Sequence, residues 1–98
     1  MPHPDREMLK RFAARYIWWK TPEEAAEMPE RVVAQVMDIG DFDDVRALAE
    51  AVGDEYLRHV ITHAEAGMFS RRSWIYWHYR LGLANPGDVI AMADRRVV

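Results

Sequence analysis

The chain has no cysteine, which excludes disulfides and every thiolate-ligated zinc site. Hydroxyl side chains other than tyrosine are scarce: Thr21, Thr62, Ser70 and Ser73 are all there are. None stands in a G-x-S-x-G turn, and the five glycines form no phosphate-cradling loop. Long apolar runs are missing too, and nothing approaches the ~20 residues of a membrane span. The opening MPHPDREMLKR has no apolar signal core. No membrane partner and a cytoplasmic location are therefore expected. Sustained alternation of apolar and polar residues is absent, as are Asn-Gly or Asp-Gly hairpin signals. These absences leave an all-α protein. They also argue against an enzyme: no catalytic residue and no cofactor-binding or metal-binding set is expected.

What is present suits one small helical domain spanning residues 1–98. Half the residues are apolar, and the four tryptophans are the main reserve of buriable area, roughly 150–250 Å² each. Arginine outnumbers lysine eleven to two and alanine is abundant, a composition that points to a GC-rich bacterial genome. The net charge of −3 is unevenly spread. Residues 1–20 carry a net +3, residues 21–56 a net −9 and residues 57–82 a net +3. Such asymmetry either packs helices of opposite sign together or presents a charged face to a partner.

Local signals place five to seven short helices joined by tight, glycine-capped turns. Asp5 is a candidate cap for a helix with Leu9, Phe12, Ala13 and Tyr16 on its inner face. Thr21-Pro22-Glu23-Glu24 is a capping box with proline at the first helical position. Pro29 opens a helix whose stripe is Val32, Val33, Val36 and Met37, with Gly40 expected as its left-handed cap. Asp41 then caps a helix bearing Phe42, Val45, Leu48, Ala49 and Val52 on one face. Gly53 closes that helix, and Asp54 opens another with Leu57, Val60, Ile61 and Ala64 inward, up to Gly67. Ser70 caps an aromatic helix that Gly82 ends. After the Asn85-Pro86-Gly87 turn, Asp88 is expected to cap a last short helix with Val89, Ile90 and Met92, and residues 95–98 to fray.

The aromatic segment SRRSWIYWHYRL is expected to hold the other helices together. At about 100° per residue, Trp74, Trp77 and Leu81 share a core-like face. Arg72, Tyr76 and Arg80 lie opposite, with Tyr79 beside them. Tyrosine with arginine is the composition enriched at interface hot spots. Arg72, Tyr76, Tyr79 and Arg80 are therefore the candidate partner-binding residues.

Two other chemistries compete. Leu48, Ala49, Val52 and Gly53 match the first half of a helix-turn-helix. The second helix, however, has Asp54 and Glu55 at its N-terminus and only Arg58 as a strong base, which suits phosphate contact poorly. His59 and His63 are one turn apart, with Glu55 one turn earlier. This is not His-Glu-x-x-His, since Val60 and Ile61 follow His59, and an exposed helix face accounts for it. The acids at Asp38, Asp41, Asp43 and Asp44 lack the glycine and glutamate of a calcium loop and suit a helix N-terminus.

Several residues, in order, also carry a likeness. They are Ile17-Trp18-Trp19, Arg31-Val32-Val33 with Val36-Met37 and Gly40, Leu48 with Gly53, Ile61, and Ser70-Arg71-Arg72-Ser73 with Ile75-Tyr76-Trp77. Over residues 17–83 the chain resembles a domain-of-unknown-function family of small bacterial all-helical proteins. Two positions depart from it: Trp19 stands where an acid follows the tryptophan, and Tyr76-Trp77 replaces Phe-Trp. Members are often encoded beside nucleotidyltransferase-type toxins. The resemblance thus implies an antitoxin-like or regulatory role, with another protein, such as a cognate toxin, as partner. It transfers no catalytic residue. The alternatives are nucleic-acid binding of helix-turn-helix type and self-association of a structural homodimer through the same face.

Overall fold

A computed structural model describes residues 3–88 and 90–92. They form five α-helices, α1 (Arg6–Tyr16), α2 (Pro22–Ala26), α3 (Pro29–Ile39), α4 (Phe42–Thr62) and α5 (Arg71–Arg80), and no strand occurs among the described residues. Each start except that of α3 has a side-chain cap. Asp5 accepts from the Met8 amide at 2.7 Å, and Asp41 from that of Asp44 at 2.8 Å. Before α2 the box is reciprocal: Thr21 Oγ1 accepts from the Glu24 amide, and Glu24 Oε1 accepts from the Thr21 amide. That backbone bond holds the Glu24 carboxyl below its ordinary range.

The hub is α3, which packs against each of the other four helices. Val32, Val33, Ala34, Val36 and Met37 are all buried on it. Its central position corrects the expectation that the aromatic helix organises the fold. α5 is instead one of the elements fastened to α3, through Trp77, whose indole N–H donates to the Met37 carbonyl at 2.8 Å. Leu9, Phe12 and Ala13 of α1, Ala25 and Ala26 of α2, and Leu48, Val52, Leu57, Val60 and Ile61 of α4 complete one core with Trp74, Trp77 and Leu81. The opposite charges of α1 and the acidic stretch are partly spent on packing. Arg15 reaches both Asp41 and Asp44 at 3.0 Å, and the Tyr16 hydroxyl donates to Asp44 at 2.5 Å.

The geometry corrects or sharpens several expectations. Gly40 is not left-handed: its φ is −63° and its ψ 150°. A Cβ there would sit 2.4 Å from the Val36 carbonyl oxygen, so close backbone approach is what requires glycine. Gly53, at φ 78° and ψ 163°, is the one non-helical residue within α4; it falls where the sequence places a helix boundary, and the two helical runs meet there in a kink without a loop. Phe42 is 77% exposed, because at the first position of α4 it projects past the neighbours that cover Leu48 and Val52. Trp18 and Trp19 are 82% and 55% exposed in the α1–α2 connection, so only Trp74 and Trp77 contribute to the core. Tyr56 is buried, although the sequence places only its neighbours inward.

No helix forms at Asp88 or over residues 90–92. The Asp88 carboxylate accepts from the Asn85 amide at 2.8 Å, closing the turn rather than capping a helix. Trp74 Nε1 donates to the Ala91 carbonyl at 2.8 Å, holding the segment against the core as a strap. Val89 and the tail at 95–98 lie outside the described residues.

Candidate partner-binding groove

The site is built from both ends of a hydrogen-bonded junction between α3 and α5. Ser70 caps α5 by accepting from the Ser73 amide. Asp38, near the end of α3, accepts from the Ser70 amide at 2.9 Å and from the Ser73 hydroxyl. One helical turn further on, Trp77 is bound to Met37. With Trp74, Trp77 and Leu81 held inward, Arg72, Tyr76 and Arg80 follow one another at intervals of four residues on the outer face. That spacing sets them about 6 Å apart along the axis.

Opposite this row stands the first turn and a half of α4, with Phe42, Val45 and Arg46. The two walls enclose a groove of about 690 Å³, floored by Met37, Val45 and Trp77. Arg46, Arg72 and Arg80 all line it. Arg46 reaches Glu50 at 3.3 Å, an exposed pair of little energetic weight. Arg80 donates to the Tyr76 hydroxyl at 3.2 Å, and its guanidinium carbon lies 4.7 Å from the centroid of the Trp77 ring. Arg72 makes no ion pair among the described residues. The carboxylate that lines the groove, Asp38, is already engaged by Ser70 and Ser73. The surface therefore offers positive charge around an apolar floor, with Tyr76 52% exposed at its centre.

The structure brings Arg72, Tyr76 and Arg80 together in this groove. Tyr79 lies elsewhere: it is 39% exposed, and its hydroxyl points to the Asp88 carbonyl at 3.5 Å, on the side of the strap. Sequence reasoning missed the facing wall. Phe42 and Arg46 are one turn apart, and Phe42 follows its cap directly, so a stripe running off the end of a helix was the available signal.

No protein-family model, curated protein or solved structure matches this chain. The residues that suggest the small helical family in the sequence are divided between core and surface. Of these, Ile17, Val32, Val33, Val36, Met37, Leu48, Ile61 and Trp77 are buried, whereas Trp18, Trp19, Arg72 and Tyr76 are exposed.

The residues of the competing chemistries are engaged differently. Arg58 Nε donates to the Leu81 carbonyl at 2.8 Å, closing the end of α5. Gly53 is a single-residue kink, whereas a helix-turn-helix joins its helices by a turn of three to four residues. The His59 and His63 rings lie with centroids 4.4 Å apart, tilted by 40°, and His59 lies 4.0 Å from Glu30. Among the described residues no group of three or more metal-ligating side chains converges. A second concavity, about 540 Å³, lies beside Trp19, Lys20, Met28 and Arg31.

Proposed function

We propose that the protein works by binding another protein through the α4–α5 groove, as a regulatory module of antitoxin-like kind. One observation carries this reading: an exposed tyrosine and phenylalanine stand over an apolar floor ringed by Arg46, Arg72 and Arg80. Apolar anchors within a charged rim are the anatomy of a recognition surface. The resemblance to helical proteins encoded beside toxins agrees with it.

The test is affinity capture with wild-type protein, with Arg72→Glu and Tyr76→Ala in the groove, and with Arg11→Glu on exposed α1 as control. The expected result is a protein retained by wild type and the control, lost with both groove variants, and bound again when purified and titrated calorimetrically. A partner held equally by all four chains, or the absence of any such protein, refutes the assignment.

A further inference from the structure

Resting on that reading, we infer that the segment the groove receives is an acidic amphipathic α-helix. The first ground is spacing. Arg72, Tyr76 and Arg80 recur every four residues, so the wall spans about 12 Å in steps of about 6 Å. A helix lying along α5 repeats its side chains at the same interval, at i, i+3, i+4 and i+7. A peptide that binds as an added β-strand gains its affinity from main-chain hydrogen bonds to a sheet edge. Here both walls are helices, and among the described residues no sheet edge borders the groove.

Charge is the second ground. The groove sets three arginines against one carboxylate that already accepts two hydrogen bonds. A complementary ligand carries acids about two turns apart, one toward Arg72 and one toward Arg80, with an apolar side chain between them over Tyr76 and Trp77. A second copy of this chain is a poor occupant. Two grooves face to face set arginine row against arginine row, and like charges juxtaposed at an interface disfavour association. Duplex nucleic acid is a poor occupant for a different reason. Along its length α4 carries exposed Asp43, Glu50, Asp54 and Glu55, which oppose a long phosphate backbone.

The test uses a fluorescein-labelled, side-chain-stapled helix of about 16 residues, long enough to span the wall. It carries Glu at i and i+7, with Leu at i+3 and Phe at i+4. Anisotropy titrations compare it with a stapled Lys-for-Glu version, with a scrambled acidic peptide of equal composition and with a short DNA duplex. The expected result is saturable binding of the acidic helix alone. Arg72→Glu should weaken it about ten-fold, and raising salt from about 50 to about 500 mM should weaken it similarly. Arg46→Glu, on the facing wall, gives an independent second variant, and circular dichroism confirms that both fold. Equal binding of the scrambled peptide, preference for the duplex, or dimerisation that competes with the peptide overturns the inference. So does failure of the acidic helix to displace a captured partner that Arg72→Glu and Tyr76→Ala release, although the proposed function then stands. Should capture itself not depend on the groove, both fall.

Discussion

Trp77→Phe is the substitution that most directly tests how α5 is fastened. Trp77 is almost fully buried, and its indole N–H is bound to the Met37 carbonyl. In a continuing helix that carbonyl would accept from the Asp41 amide. Here the Asp41 amide donates instead to the Tyr16 hydroxyl, at 3.1 Å, so Trp77 supplies the donor that the end of α3 lacks. Phenylalanine removes the donor and about 40 Å² of ring, worth about 1 kcal/mol at ~25 cal/mol per Å². Leaving a buried carbonyl unpaired costs about 1–3 kcal/mol more. The expected loss is about 2–4 kcal/mol, a large share of the ~5–15 kcal/mol that holds a domain of this size together. A melting temperature lower by about 10–25 °C follows. Urea and thermal unfolding followed by far-ultraviolet circular dichroism measure it. Trp18→Phe is the matched control: at 82% exposure its effect should stay within about 0.5 kcal/mol. Should Trp77→Phe also fall within that margin, the bond to Met37 is not what fastens the helix.

Two further substitutions isolate single terms. Gly53→Ala should cost about 1–3 kcal/mol in urea unfolding, because φ 78° with ψ 163° is open essentially to glycine alone, while the added Cβ meets nothing within 4 Å; a neutral result refutes the kink. Tyr56→Phe should leave stability at neutral pH unchanged or raise it by about 1 kcal/mol, because the buried Tyr56 hydroxyl has no hydrogen-bond partner among the described residues. Burial, and to a lesser degree Glu30, push that hydroxyl up to about 12 from an ordinary 10.0. The folded state then holds its proton while the unfolded chain releases it, so wild-type stability falls as pH rises from about 10 to about 12, by at most about 3 kcal/mol, and Tyr56→Phe lacks that component. A clear loss of stability at neutral pH in Tyr56→Phe would show that the hydroxyl has a partner.

What the sequence makes legible is local. The box at Thr21 and Glu24 is set by residues three apart, and the valine stripe of α3 by a period that needs no partner to be seen. The inward face of α5 follows from the same accounting. What escapes it depends on the exact course of the backbone and on contacts between residues far apart in the chain. Gly40 reads as a left-handed cap until the Val36 carbonyl is found against it. Phe42 continues an apolar stripe, but the stripe outruns the core that would cover it. Tyr56 lies one turn from both Val52 and Val60, so its burial was available in the pattern, yet a hydroxyl with no partner argues against an inward position. The groove is invisible for the same reason. Its α5 wall, Arg72–Tyr76–Arg80, is periodic, but the wall facing it is separated from it by some thirty residues, on the order of the length of α4 and its connection.

The two arginines of the α5 wall do not do the same work, and the difference determines how binding data on this protein should be weighed. Arg80 lies over the Trp77 ring and donates to Tyr76, so its stem and guanidinium shelter part of the apolar floor in the free protein. Replacing it exposes a core tryptophan and unsettles the row at once, so lost affinity there mixes recognition with stability. Arg72 sits in the first turn of α5, where a positive charge also opposes the helix dipole. It has no ion pair among the described residues, so the isolated fold gains little from a cation at that position. Replacing Arg72 by an acid should be neutral or slightly favourable for α5 and adverse only to an acidic ligand. Lost binding with retained or raised stability in Arg72→Glu is thus an outcome that a purely structural role for this face cannot produce.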